Sequence, residues 1–226
     1  MRLPSRRVPP ATGPDPLAAP PAHWRDPVRL SVKRLIDLAG SATLLVLLAP
    51  LGLALAILVK LSSPGPALYR WRVVGQNGRA FVGYKFRSMV VDADRLKPGL
   101  LRQNEMIGPA FKLTDDPRIT RVGGWMRRYS LDELPQLYSV LVGDMSLVGP
   151  RPPLQTEFLE FTGLHRRKLA VKPGITCLWQ VNGRNTVRDF EDWIRLDLQY
   201  IREWSLTLDL KILLRTAGEV IRGSGK

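Results

Sequence analysis

The chain has 226 residues, with 34 Lys and Arg against 20 Asp and Glu, for a formal net charge of +14. A hydrophobic content of 45% excludes wholesale disorder, and the positive balance calls for an anionic partner: nucleic acid, an acidic membrane surface or a phosphorylated ligand. One cysteine, Cys177, excludes an intramolecular disulfide and a cysteine-cluster metal site, and two histidines, His23 and His165, argue against a histidine-rich zinc site.

Residues 1–30 are rich in Pro and Ala ("PPATGPDPLAAPPAHW") and show no periodicity, which predicts a disordered tail. The pair Arg6-Arg7 is followed by prolines where an export signal needs an apolar stretch. Residues 31–61 predict a membrane-inserted element. Their uncharged run, Leu38–Val59, is long enough for a helix to cross a bilayer. Both flanks are basic (Lys33 and Arg34 before, Lys60 after), and Pro50 interrupts the run near its middle. The residues alone leave two readings, a spanning helix with a tolerated proline or a re-entrant pair of arms that returns to the same face. Asp37 is expected to pair with Lys33 or Arg34 or to serve as a helix-start charge.

Residues 62–226 form a mixed polar domain. "ALYRWRVV" and "AFVGYKFRSM" flank the turn "GQNGR" and predict a β-hairpin. Lys85 and Arg87 share one face of its second strand, as a phosphate site or as a solvated edge. In "SLDELPQL", Ser130 and Glu133 have capping-box spacing, but that places Pro135 inside the helix, where it removes a donor. A helix starting near Pro135 instead leaves Asp132 and Glu133 at its entrance. Arg127, Arg151 ("GDMSLVGPRPP") and Arg184 ("VNGRN") emerge from constrained turns in separate segments; converging, they make a diphosphate pocket. Near the C-terminus, Trp193, Ile194, Leu198 and Ile201, then Trp204, Leu206, Leu210, Leu213 and Leu214, recur at helical spacing among basic residues. These amphipathic helices pack in the core or lie in a membrane interface. The fold class is α/β of the α+β kind, helix-rich with a small β-hairpin.

Five motifs occur in order: "VKRLIDL" before the proline-broken run, "YKFRSM", "KLTDDPRITRVGGWMRRYSLDELPQL", "VGDMSLVGPRPP" and "KPGITCLWQVNGR". Together they resemble the bacterial sugar transferases, the monotopic phosphoglycosyl transferases, from about Ser31 to the C-terminus. The additional multi-helix membrane region of the family's long members is lacking, so the chain resembles the short type.

The resemblance implies transfer of a sugar-1-phosphate from a nucleotide diphosphate sugar, by family habit a UDP-sugar, to a polyprenyl phosphate. It implies a covalent phosphosugar intermediate on Asp132, beside Glu133, with Mg²⁺ bound at Asp132. Lys85, Arg127, Arg151 and Arg184 are then phosphate-contacting candidates, joined by Arg87 from its strand position, and Asp209 is a matched acid of unassigned role. The family's re-entrant hairpin breaks at Ser-Pro, where this chain has Ala49-Pro50. The implied location is the bacterial inner membrane, with the catalytic domain on the cytoplasmic face. The implied partners are the nucleotide sugar, the polyprenyl phosphate and membrane lipid, with no nucleic acid; a homo-oligomer is allowed.

The chemistry is coherent. A carboxylate is ionised at neutral pH and attacks phosphorus without a base, provided cations offset the charge of the diphosphate. The competing class is a basic membrane-tethered protein that binds acidic lipid or nucleic acid without catalysis; its basic residues would form one continuous patch, whereas here they sit singly at turns. A multi-span transferase of the same overall reaction needs several apolar runs, and one is present.

Overall fold

The computed structural model describes residues 20–183 and 187–225. Order begins before residue 30, which corrects the expected extent of the tail. A 3-10 turn, Ala22–Arg25, buries Trp24, whose ring stacks on Trp204 (4.3 Å between centroids) and whose indole N–H donates to the Ile201 carbonyl at 2.9 Å. A single aromatic anchor thus orders a stretch whose composition reads as tail. The expectation for residues 1–19 lies outside the described residues.

Helix α1, Pro27–Leu47, starts on Asp26, which accepts from the amides of Val28 (3.0 Å) and Arg29 (3.2 Å), with Pro27 in the first turn. Helix α2, Ala49–Ser62, follows after a 61° bend. The bend falls where Pro50 has no amide hydrogen with which to extend the α1 ladder; bonding resumes from the Gly52 amide to the Leu48 carbonyl at 2.8 Å. Among the described residues no single helix is long and apolar enough to cross a membrane, and α1 and α2 pass that test only as a bent pair. Their outer face is apolar, with Leu53 65% and Leu61 80% exposed. On the inner face Leu55 and Val59 pack with Phe86 and Met126.

Strands β1 (Leu68–Val74) and β2 (Ala80–Phe86) form the expected antiparallel hairpin, in register from Leu68 opposite Phe86 to Val74 opposite Ala80, with Asn77 left-handed in the turn. Next come α3 (Ala93–Leu100), α4 (Arg121–Arg128) and α5 (Gln136–Val142). Strands β3 (Ser146–Val148) and β4 (Gly174–Thr176) pair in parallel, with α6 (Gln155–Leu159) and α7 (Gly163–Arg166) between them. This second sheet was not anticipated, because three residues are too few to show alternation. Helices α8 (Leu178–Val181), α9 (Phe190–Glu203) and α10 (Leu206–Arg222) complete the chain. The architecture is helix-rich α/β with two small sheets.

The main core gathers Leu137, Val140, Val148, Tyr200 and Ile212 from α5, β3, α9 and α10, with Met145 from the turn between α5 and β3. A second, aromatic core contains Phe158, Phe161, Phe190 and the stacked pair Trp179–Trp193 (4.4 Å). Helix α9 therefore spends its apolar stripe inside the protein, burying Trp193, Ile194, Tyr200 and Ile201, which is the core-packing alternative of its two readings. Helix α10 differs: Leu210, Leu214 and Ile221 are 57%, 66% and 80% exposed.

The charged residues of α1 dock it onto this core. Arg34 donates to the carbonyls of Val140 (2.7 Å) and Leu141 (2.8 Å), capping the end of α5. Asp37 accepts from the Ser146 hydroxyl (3.0 Å) and the Leu147 amide (2.9 Å), so it holds β3 and does not pair with Lys33 or Arg34. Its partners lie about a hundred residues away in sequence (109 and 110), beyond the reach of helical-spacing arguments.

Candidate active site

The acidic pair sits where two short helices meet. Helix α4 is capped by the Thr120 hydroxyl, which accepts from the Gly123 amide (2.9 Å), and ends at Arg128. Ser130 then adopts a left-handed conformation (φ 54°), and Leu131–Glu133 form one 3-10 turn whose start has no side-chain cap bond from Ser130. Pro135 directly precedes α5, which agrees with the reading that moved the helix start past both acids. The carboxylates therefore occupy an irregular turn held between two helices, and Asp132 is buried.

Asp132 lines a cavity of about 300 Å³ together with Lys85, Arg87, Ser88, Arg127 and Arg151. Four of the five predicted phosphate-binding cations thus reach one cavity wall, from β2, the segment after it, α4 and the turn after β3. The fifth, Arg184, lies outside the described residues.

These cations are held differently. Lys85 forms a 2.8 Å ion pair with Glu133, and its ammonium lies 4.3 Å from the centroid of the Trp71 ring. Arg127 donates from Nε to the Ser88 hydroxyl at 2.9 Å. Burial pushes its guanidinium pKa down, against the pull of Asp132, Asp116 and Glu133. Arg151 forks onto Glu157 (3.1 and 3.4 Å), with its guanidinium over Trp193. Burial lowers its pKa, but Glu157, joined by Cys177 and Asp197, more than offsets this, so Arg151 is held firmly charged.

Arg87 is held by backbone carbonyls. It donates to the carbonyls of Pro66 (2.7 Å), Pro64 (2.6 Å), Ser63 (2.9 Å) and Val59 (3.3 Å), clasping the end of α2 and the turn that follows. The shared strand face seen in the sequence ends with β2 at Phe86, one residue before Arg87.

The family model described as bacterial sugar transferase matches residues 28–223. The chain belongs to the bacterial sugar transferase family. The chain is 47% identical over 196 residues to a galactosyl transferase, CpsE, of Streptococcus agalactiae, a match covering 87% of this chain and 43% of that protein. It is 44% identical over 199 residues to an undecaprenyl-phosphate galactose phosphotransferase of Salmonella typhimurium, covering 86% and 41%. It is also 38% identical over 203 residues to the exopolysaccharide production protein ExoY of Rhizobium meliloti, covering 88% and 89%. The chain thus spans about two fifths of the first two relatives and most of the third.

Asp209, the matched acid, lies in a separate network. It accepts from Lys33 (2.6 Å), the Tyr200 hydroxyl (2.7 Å) and the Trp204 indole (3.1 Å). Lys33 and Tyr200 also reach the Val148 carbonyl, each at 3.1 Å, so one carboxylate ties α1, α9 and α10 to β3. Burial and Asp209 together push the Tyr200 phenol well above its usual range, so it stays a donor.

Three supports of the candidate site were missed in the sequence. Trp71 faces Gly83 across the hairpin, and a methyl on Gly83 would stand 2.2 Å from the indole nitrogen. A Gly opposite an aromatic within a predicted hairpin was a readable signal. Gly123 lets α4 approach the segment after β2 so closely that a Cβ would lie 1.9 Å from the Ser88 carbonyl oxygen. Buried Asp116 and Arg118 make a fork (2.9 and 2.6 Å) just ahead of α4. Burial pushes the Asp116 carboxyl up, but the Arg118 hydrogen bonds outweigh it and hold the pKa low.

Proposed function

We propose that this protein moves a sugar-1-phosphate from a nucleotide diphosphate sugar, a UDP-sugar by analogy with its relatives, to a polyprenyl phosphate. The observation that carries this reading is Asp132 in the wall of a cavity that also presents Lys85, Arg127 and Arg151. The names of two relatives support the acceptor and donor classes: the Salmonella phosphotransferase above, and a UDP-glucose:undecaprenyl-phosphate glucose-1-phosphate transferase of Xanthomonas campestris, 43% identical over 204 residues.

In the first step a carboxylate oxygen of Asp132 attacks the sugar-bearing phosphorus. The bond from that phosphorus to the bridging oxygen breaks, its electron pair leaves with the nucleoside monophosphate, and an aspartyl-phosphosugar remains. In the second step a phosphate oxygen of the acceptor attacks the same phosphorus, and the electron pair of the aspartyl bond returns to Asp132. Arg127 and Lys85 take up charge on the transferring phosphoryl group, and Arg151, fixed by Glu157, adds a preorganised cation. Glu133 holds Lys85 at the turn that carries Asp132.

The residues also fit Mg²⁺ as an ion carried largely by substrate. Among the described residues no three His, Cys, Asp or Glu side chains cluster as a metal site. Mg²⁺ commonly takes one or two carboxylates and completes its shell with phosphate oxygens and water. Asp132 would hold it, and it would reduce the repulsion between carboxylate and diphosphate.

The bent pair α1–α2 is read as the membrane element, entering and leaving through one face with its exposed leucines in lipid and α10 lying along the surface. The domain is read as lying on the cytoplasmic face of the bacterial inner membrane, because nucleotide sugars are made in the cytoplasm. Cysteines introduced at Arg29 and Gly78 should label from the same side; labelling from opposite sides would establish a plain spanning helix. For the chemistry, Asp132→Asn should abolish both nucleoside monophosphate release and the phosphosugar adduct. Turnover near the wild-type rate by that variant would sink the nucleophile assignment.

A further inference from the structure

The turn that places Asp132 on the cation-lined cavity places the next residue, Glu133, on the wall of another. This second cavity, of about 210 Å³, is lined by Leu44 and Leu48 at the α1–α2 bend, Leu137 of α5, Ile175 of β4 and Leu213 of α10. Thr176 and Thr216 also reach it, but their hydroxyls meet each other at 2.7 Å, and Thr216 donates to the Ile212 carbonyl at 2.8 Å. Gln180 and Glu219 line it as well, the first accepting from the Cys177 amide at 3.0 Å and the second paired with Arg222 at 3.2 Å, so these four polar side chains bond within the protein.

Two cavities, one bearing cations and the other none, thus meet at consecutive residues of one 3-10 turn. One offers cations to phosphate. The other offers branched apolar side chains, and its wall includes the bend of the helix pair that is read as the membrane element. Apolar side chains that line such a cavity gain packing contacts from an apolar occupant. The occupant that satisfies both cavities is an amphiphile with an anionic head and a hydrocarbon tail. We propose that the apolar cavity binds the first isoprene units of the polyprenyl phosphate acceptor, so that its phosphate is delivered over the Lys85–Glu133 pair to the phosphorus held on Asp132. This subsite rests on the transferase reading above and specifies which surface of the protein selects the lipid.

The subsite makes acceptor efficiency depend on the chain next to the phosphate. With the purified full chain in detergent and saturating donor, kcat/KM should rise steeply from methyl phosphate to geranyl phosphate, then change little up to undecaprenyl phosphate. Leu213→Trp and Ile175→Trp fill the cavity. They should lower kcat/KM for geranyl and undecaprenyl phosphates at least about tenfold and flatten the chain-length dependence. A filled variant with the same chain-length dependence as the wild type overturns the proposal. A second measurement needs neither a variant nor turnover: a prenyl phosphate with a diazirine on its first isoprene unit is photolysed on the wild-type chain without donor. Adducts on the peptides of Leu137, Ile175 or Leu213 support the subsite, and adducts confined to α3 or to the outer face of α2 overturn it. If the wild-type chain transfers nothing from any nucleotide sugar, the transferase reading fails, while the photolysis result still decides what the cavity binds.

Discussion

Two lysine–carboxylate pairs, Lys85–Glu133 at 2.8 Å and Lys33–Asp209 at 2.6 Å, look interchangeable as chemistry. Their surroundings separate them. Asp209 gathers three side-chain donors between helices, and its lysine also bonds a backbone carbonyl, so this pair is committed to holding elements together. Glu133 and Lys85 meet on a one-turn helix between two cavities, and the ammonium rests against an aromatic face. A carboxylate's role follows from what its neighbourhood leaves for a ligand, more than from the identity of its closest cation.

The contrast is broken or sharpened by substitution on each side. The largest effect is expected at the cavity: Asp132→Asn should lower transfer by at least ~10³-fold with little change in thermal stability. Asp209→Ala should do the reverse. Leaving Lys33 buried without its partner costs about 3–5 kcal/mol, or roughly a 10 °C lower midpoint in thermal unfolding. If Asp209→Ala unfolds at the wild-type temperature and loses only turnover, the division between the two pairs is wrong.

Gly83→Ala should have an intermediate effect. Its methyl would displace Trp71 from beneath Lys85, costing about 1–3 kcal/mol in stability and roughly fivefold to tenfold in kcat/KM. An alanine variant with normal kinetics would remove Trp71 from the site's support. The smallest effect concerns acid. Because the pKa of Asp116 is depressed in the folded state, its stabilising contribution is present above an unfolded-state value of about 4. It fades as pH falls through the depressed folded value. Thermal unfolding followed between neutral and acidic pH should show a shallower acid loss for Asp116→Asn than for the wild type.

Local chemistry made much of the site legible. The turn "GQNGR" marked the hairpin, Pro50 marked the bend and Pro135 set the acids outside α5, because each acts on the backbone within a few residues. The turns suggested that Arg127, Arg151 and Arg184 converge; Arg127 and Arg151 do line one cavity, with Lys85 from β2, and Arg184 lies outside the described residues. What stayed open depended on distant partners. Arg87 read as a phosphate site or a solvated edge, and the carbonyls around Pro64 engage its guanidinium; α9 read as core or interfacial, and the aromatic core takes its stripe.

By itself, then, the sequence determined where the chain bends, turns and carries its acids, since proline, glycine and asparagine constrain torsion angles whatever surrounds them. Only the tertiary structure decided which charges are spent and which line a cavity. Lys33 and Asp209 lie 176 residues apart in the chain, and a charge is consumed or kept available by whatever group folding brings to it.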